Sequence, residues 1–185
     1  MDFEKKLMKK SPLKGGSIQV EDESVTYRPV DKITKRIWLG DYTTAKNKDF
    51  FKKNNIKAVL NCTKDVQNTF KTDETIEYLR IPVDDSLQEV DFKKMYYYFP
   101  IIIEFLNKTV NIEKKNVLVH CVQGKARSCI ALAVFLVNEG MKPEEALEYI
   151  LKKRPDAFFF GTSINFNKSF VKFLKNYEFN KLPKY

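Results

Sequence analysis

The chain has 185 residues, 43% of them hydrophobic, and a formal net charge of +9 at pH 7. This length suits one globular domain with a substantial core and argues against two domains of ordinary size. The positive charge favours acidic partners, such as phosphoproteins, nucleic acid or anionic lipid, unless the lysines merely solvate the surface.

Three cysteines and a single histidine narrow the chemistry further. A small, odd number of cysteines indicates a reducing compartment, so we expect the cytoplasm, with the nucleus as the alternative. A zinc site built on paired histidines is excluded, and no second histidine can act as the remote base of a cysteine protease. We expect no metal ion and no cofactor. The longest apolar run, residues 130–137, is too short to cross a bilayer, and residues 1–10 lack the apolar core of a signal peptide.

Residues 1–24 form an N-terminal extension with lysine pairs, a Ser-Pro step and two adjacent glycines. This composition predicts disorder. The alternative is an amphipathic interaction helix over residues 2–10 that packs on a second copy of the chain and makes a homodimer. Residues 25–185 are predicted to form the single folded domain.

After the extension, strand patterns alternate with helix patterns. Short apolar runs predict strands at 25–27, 34–39, 56–60, 76–83 and 117–120. Helical spacing predicts helices at 43–55 in one piece or two, and at 91–106, 128–139, 143–151 and 165–177. Pro100 either kinks the second of these helices or opens its second half. Strands separated by helices predict an α/β fold, with a central, mainly parallel twisted sheet flanked by helices.

The stretch 117–128 predicts a buried strand, a tight loop and the start of a buried helix. Its loop has the spacing Cys-x5-Arg-Ser, with His120 before Cys121 and Gly124 in mid-turn. A thiol at a helix N-terminus readily becomes a thiolate, and the backbone N–H groups of such a loop can surround a tetrahedral anion. Arg127 offers a planar pair of donors to phosphate oxygens. Nucleophile and anion cradle therefore share one loop, at the carboxyl end of a central strand, where open α/β sheets bind ligands.

Further stretches accompany this signature, at 37–40, 59–63, 81–85 and 147–170. With them, the chain from about residue 33 to residue 177 resembles the dual-specificity protein phosphatases, within the cysteine-dependent protein tyrosine phosphatase superfamily. The resemblance implies a phosphatase-type fold and phosphorylated proteins as partners. It also implies hydrolysis of phosphotyrosine and of phosphoserine or phosphothreonine through a cysteinyl-phosphate intermediate.

The resemblance gives the signature residues their roles. Cys121 would be the nucleophile, Arg127 would bind the phosphate and stabilise the transition state, and Ser128 would assist release of the thiolate. His120 and Asn165 would support the loop, although an N-cap of the last helix would equally explain the asparagine. The phosphate-binding loop itself would consist of Val122, Gln123, Gly124, Lys125, Ala126 and Arg127.

In this family an aspartate on a loop after an earlier strand protonates the leaving group. The match of residues 81–83 to the family pattern indicates Asp85 as this general acid, with Asp84 the runner-up. Cys62 follows a neighbouring strand, and some family members use such a cysteine for a protective disulfide with the nucleophile, here Cys121. The alternative for Cys62 is a small buried hydrophobic residue.

Lys125 departs from the neutral residue that many protein-directed family members carry at this position. A phosphoinositide phosphatase or an RNA 5′-triphosphatase on the same scaffold is therefore an alternative. The sequence lacks a second loop lysine, and no basic stretch is interleaved with aromatic residues. A catalytically weak, phosphate-binding pseudophosphatase is the non-enzyme alternative, and it is disfavoured because the cysteine, the arginine and the acid are all present.

Overall fold

The computed structural model describes residues 27–84, 94–158 and Leu174. Within these residues one five-stranded sheet has the order β1-β2-β5-β3-β4. Its strands are β1 (Val30–Lys32), β2 (Ile37–Gly40), β3 (Ile56–Asn61), β4 (Glu77–Arg80) and β5 (Asn116–His120). The helices are α1 (Lys48–Lys53), α2 (Phe99–Leu106), α3 (Arg127–Asn138) and α4 (Pro143–Lys153), with a 3-10 turn at Thr44–Lys46 and a π turn at Asn107–Ile112.

The sheet aligns the ends of its three central strands. β1 is antiparallel to β2, whereas β2 and β3 both run parallel to β5, and β4 runs parallel to β3. The register places Gly40 and Asn61 opposite His120. The loops that follow these strands therefore meet at one edge of the sheet.

The central strand is buried on both faces, and its side chains alternate between two cores. Val117 and Val119 pack in the larger core with α2, α3 and α4. Leu118 packs in the smaller core with Phe51 of α1. Because successive side chains of a strand point to opposite faces, one short apolar strand can join both layers.

α3 has no exposed face, since every residue from Arg127 to Leu136 is buried. This explains why its sequence is apolar nearly all round. The helix begins directly after the cysteine loop, so the buried helix holds that loop against the sheet.

The predicted α/β fold with a mainly parallel sheet flanked by helices is confirmed. The helix predicted at 43–55 occurs in two pieces, and Pro100 lies in the first turn of α2 instead of kinking a longer helix. None of the helices in the described part of the chain is long and apolar enough to cross a membrane.

Three strand predictions need correction. The strand predicted at 34–39 begins at Ile37, because residues 34–36 form the turn between β1 and β2, in which Thr34 N–H donates to the Ile37 carbonyl at 3.2 Å. Tyr27 does not belong to the strand that pairs with β2; that strand begins at Val30, because Pro29 has no N–H group to donate to the ladder. β4 ends at Arg80 instead of residue 83. There the N–H group of Val83 bonds to the Ile81 carbonyl at 2.9 Å, which forms a tight turn around Pro82. The extension at 1–24, the start of the helix predicted from 91, and the last predicted helix, except Leu174, lie outside the described residues.

Candidate active site

The loop between β5 and α3 makes a close turn that requires glycine. Gly124 has φ +67°, in the left-handed region that favours this residue. A Cβ atom at Gly124 would lie 2.5 Å from the carbonyl oxygen of Gly40. The end of β2 therefore supports the turn from behind, and there is no room for a side chain.

The carbonyl groups of this loop all accept hydrogen bonds. Tyr42 N–H donates to Val122 at 3.1 Å, Phe158 N–H to Lys125 at 2.7 Å, Ile130 N–H to Ala126 at 3.0 Å, and the Arg154 guanidinium to Gln123 at 3.2 Å and Gly124 at 2.7 Å. In a planar trans peptide the N–H group points away from the carbonyl oxygen. The next amide in each case therefore points away from these donors. One of them, Gly124 N–H, donates to the Cys121 sulfur at 3.2 Å.

Arg154 is the residue that holds the middle of the loop, and sequence reasoning missed it. Its side chain is 2% exposed, and it also donates to the carbonyl of Arg28 at 3.1 Å and to Asp31 Oδ2 at 2.7 Å. A buried guanidinium is stable only when its donors and its charge are matched. The sequence shows Arg154 as the end of a basic run after an amphipathic helix, which usually indicates a solvated residue.

The sulfur of Cys121 receives a second donor from Ser128 Oγ, also at 3.2 Å. Both donors, together with the positive end of the α3 dipole, are directed at this sulfur. Arg127 begins this helix and is buried, and its Nη1 donates to the Val83 carbonyl at 2.9 Å. Arg127 therefore joins the cysteine loop to the segment that leads into Asp84.

His120 lies behind the loop and is buried. Its Nδ1 is 3.3 Å from the Cys121 carbonyl oxygen, and burial lowers the pKa of the ring to about 4. The imidazole is therefore neutral at physiological pH and can donate through Nδ1 in the appropriate tautomer. The histidine acts through the backbone of Cys121 and not through its sulfur.

Of the two candidate general acids, the structure describes Asp84 but not Asp85. Asp84 lies at the end of a described segment, with its carboxylate oxygens 3.4 and 3.5 Å from Lys64 Nζ. Asp85, the preferred general acid, lies outside the described residues, as does Asn165.

Lys125 points toward an acidic neighbour. Its Nζ is 3.7 Å from Asp156 Oδ2, and it lies over the ring of Tyr27 at 5.9 Å. The loop lysine is thus held at the rim by two residues of the protein.

The other cysteines are protonated at neutral pH. Cys62 directly follows β3, and its backbone N–H donates to the His120 carbonyl at 2.8 Å. Because Asn61 pairs with His120, Cys62 lies opposite Cys121 where the two parallel strands end. Burial, and then the Cys121 sulfur, raise the pKa of the Cys62 thiol well above its ordinary value. Burial raises the pKa of Cys129 to about 12.

Asp41 is a second buried residue that the sequence did not reveal. Burial alone would raise the pKa of its carboxyl group, but hydrogen bonds from Tyr27, Thr44 and Thr43 hold it below the ordinary value. Asp41 thereby anchors the segment before β1 to the loop after β2. Within residues 27–84 and 94–158 no three histidine, cysteine or acidic side chains group as a metal site.

Comparisons with known proteins agree with this arrangement. The family model described as "Dual specificity phosphatase, catalytic domain" matches residues 37–179. Dual specificity protein phosphatase Mpk3 of Drosophila melanogaster is 33% identical over 129 residues, which is 69% of this chain and 30% of that protein. Human dual specificity protein phosphatase 21 is 28% identical over 149 residues, 80% of this chain and 71% of that protein. This chain thus spans less than a third of the fly protein.

Solved structures agree on the fold. The crystal structure of human DUSP28 has a TM-score of 0.65 and 16% sequence identity, and it covers 80% of this chain and 93% of its own. At this level of identity the likeness concerns the fold alone.

The depressed pKa of His120 predicts a pH-dependent stability. Between the unfolded pKa near 6.5 and the folded value of about 4, the unfolded chain binds more protons, so stability falls as the pH falls. We expect His120 to account for a loss of about 2–3 kcal/mol in unfolding free energy between pH 7 and pH 4.5. Urea denaturation at both values should show that the His120→Gln protein lacks this part of the loss. An unchanged pH dependence in the variant would contradict the assignment.

Proposed function

Because the chain belongs to the dual-specificity phosphatase family, we propose that it hydrolyses phosphotyrosine and phosphoserine or phosphothreonine in proteins through a cysteinyl-phosphate intermediate. The observation that supports this most directly is the Cys121 sulfur. It receives hydrogen bonds from Gly124 N–H and Ser128 Oγ, inside a loop whose carbonyl groups bond to donors elsewhere in the protein. A thiolate held there stands where the loop would bind a phosphoryl group.

In the first step the Cys121 thiolate attacks phosphorus. The new S–P bond forms as the P–O bond of the ester breaks, and the leaving oxygen takes a proton from Asp85. The loop amides and the Arg127 guanidinium bind the three equatorial oxygens, whose charge is spread out in the transition state. The hydrogen bond from Arg127 Nη1 to the Val83 carbonyl orients the guanidinium for binding these oxygens.

In the second step water attacks the phosphocysteine. The S–P bond breaks, the Asp85 carboxylate takes the proton from water, and inorganic phosphate leaves. Ser128 donates to the departing sulfur, which it reaches at 3.2 Å in the resting protein. The enzyme returns to its thiolate form.

In this proposal Asp84 and Asp85 have different roles. The Asp84 carboxylate pairs with Lys64, so it ties the start of the acid-bearing segment to the loop after β3. Asp85 is then the residue left to reach the leaving oxygen, as the family pattern indicates.

Protein substrates are favoured over phosphoinositides or RNA 5′-triphosphates. Lys125 is the residue that raised those alternatives, and its ammonium group already pairs with Asp156 at 3.7 Å. A lysine held in this way is less suited to bind an additional substrate phosphate. The net charge of +9 favours acidic or phosphate-rich sequences around the phosphorylated residue.

We extend the proposal to the cellular setting and the N-terminal extension. Free cysteines and the family chemistry favour the cytoplasm or nucleus, since the nucleophile must stay reduced. A homodimer through residues 1–24 is the proposed use of the extension if those residues form a helix. An unchanged sedimentation mass after their deletion would dismiss the dimer.

The catalytic assignment predicts a graded series of variants. With para-nitrophenyl phosphate, Cys121→Ser should abolish turnover because it removes the nucleophile. Asp85→Asn should lower kcat by about 10²–10⁴-fold, the usual range for a lost general acid, and should flatten the alkaline limb of the pH profile. Asp84→Asn is the matched control and should change kcat far less. Wild-type turnover no greater than that of Cys121→Ser would refute the enzyme assignment, and equal losses at both aspartates would refute the choice of acid.

We also propose that Cys62 protects the nucleophile. Because the two cysteines occupy the same level on adjacent strands, mild peroxide should convert Cys121 to a sulfenic acid, which the Cys62 thiol then attacks with release of water. Mass spectrometry should detect a Cys62–Cys121 disulfide, and dithiothreitol should restore activity. In the Cys62→Ser protein the same treatment should give irreversible Cys121 oxidation. Reversible recovery in both proteins would contradict the proposed role.

A further inference from the structure

A groove lies beside the cysteine loop, at the same edge of the sheet. Its volume is about 590 Å³, and its walls are Tyr42 and Lys46 on one side and residues 65–69 on the other. Val122, the first residue after the nucleophile, also lines it. The groove is formed by the loops that follow β2 and β3, the two strands that flank β5. It therefore adjoins the cysteine loop at Val122.

One wall of the groove is fixed from within the protein. Asn61, at the end of β3, is fully buried. Its Nδ2 group donates to the Val66 carbonyl at 2.8 Å and to Asn68 Oδ1 at 2.9 Å, and its Oδ1 accepts from Thr63 Oγ1 at 2.6 Å. These bonds use a buried side chain to hold an exposed loop, so the groove is preformed and does not depend on a ligand for its shape.

The opposite wall presents an aromatic ring and a cation. The Tyr42 ring is 40% exposed, and Lys46 Nζ lies 5.0 Å from its centroid. Neither Lys46 nor Asp65, on the facing loop, forms an ion pair with another residue that the structure describes. Both charges are thus available to a bound molecule, in contrast to Lys125 and Lys64, which pair with Asp156 and Asp84.

We propose that this groove binds the polypeptide next to the phosphorylated residue of a substrate, and that Lys46 selects an acidic side chain there. This inference rests on the proposed phosphatase function. A phosphorylated side chain in the cradle brings the adjoining backbone to the rim, where Val122 begins the groove. The amide and hydroxyl groups of residues 67–69 suit the backbone of an extended peptide, and the net charge of +9 draws acidic sequences.

Two charge reversals should shift selectivity in opposite directions. We would measure kcat/KM for two phosphotyrosine peptides that differ only in carrying glutamates or lysines beside the phosphorylated residue, with para-nitrophenyl phosphate as a substrate too small for the groove. Lys46→Glu should lower the glutamate-to-lysine preference by about three- to tenfold, because an exposed pair contributes modestly and reversal replaces attraction with repulsion. Asp65→Lys should raise it. Turnover of the small substrate should stay within about twofold in both, since an exposed charge outside the cradle alters the chemistry little.

Lys53→Glu is the control, because it makes the same change of charge on an exposed residue of α1 that does not line the groove. Thr69→Tyr is an independent test. The added ring should fill the groove and lower kcat/KM for both peptides without affecting turnover of para-nitrophenyl phosphate. The proposal is overturned if Lys46→Glu and Lys53→Glu alter the preference equally, or if Thr69→Tyr leaves peptide turnover unchanged.

Peptide binding to the Cys121→Ser protein separates this inference from the proposed function. Fluorescence polarisation of the two labelled peptides needs no turnover, so the preference can be measured in the Cys121→Ser protein with and without Lys46→Glu. A charge-dependent preference without any turnover by the wild type would uphold the groove and refute the enzyme. Turnover without any such preference would refute the groove alone.

Discussion

The hydrogen bonds that turn the carbonyl groups of the cysteine loop outward are the interaction on which the site depends. A peptide cannot direct both its N–H and its C=O to one side, so an anion cradle of amides needs acceptors satisfied on the other side. Here the donors come from two distant parts of the chain: Tyr42 after β2, and Arg154 and Phe158 after α4. A buried carbonyl without a donor would cost about 1–3 kcal/mol, so the loop could not hold this shape alone. Asp31 of β1 completes the arrangement by pairing with the arginine at 2.7 Å.

Local sequence patterns were sufficient for much of the fold. The short apolar run of β5, the all-apolar α3, and Gly124 between them can each be recognised because their neighbours in sequence determine them. Arg154 and Asp41 could not be recognised in this way. The partners of Arg154 lie 30 and 123 residues away, at Gly124 and Asp31, and a charged residue at a helix end is ordinarily exposed. The start of β1, by contrast, has a local cause, because Pro29 has no N–H group to donate to the ladder with β2.

The pairing of charged side chains indicates that substrate specificity depends on residues outside the cysteine loop. Lys125 is the residue of the loop that departs from the family pattern, but its pairing with Asp156 leaves it as part of the rim. Lys64 is likewise paired, with Asp84. Lys46 instead lies over the Tyr42 ring, on the wall of a groove that Asn61 holds open from the core. Cys121, Arg127 and Ser128, which would perform the chemistry, are thus buried, whereas the residues proposed to select a substrate lie on the neighbouring surface.

The most direct test concerns Arg154 as the residue that keeps the loop amides turned inward. Calorimetric titration of tungstate, a tetrahedral oxyanion, into the Cys121→Ser protein would give the affinity of the cradle without covalent chemistry. Arg154→Lys keeps the charge but loses the fork that reaches both Gln123 and Gly124, so it should weaken tungstate binding by about tenfold or more. Arg28→Lys, which also alters a pair with Asp31 but leaves the loop bonds intact, should change it by less than about twofold. Equal tungstate affinity in the Arg154→Lys protein and its parent, with both folded, would contradict the account.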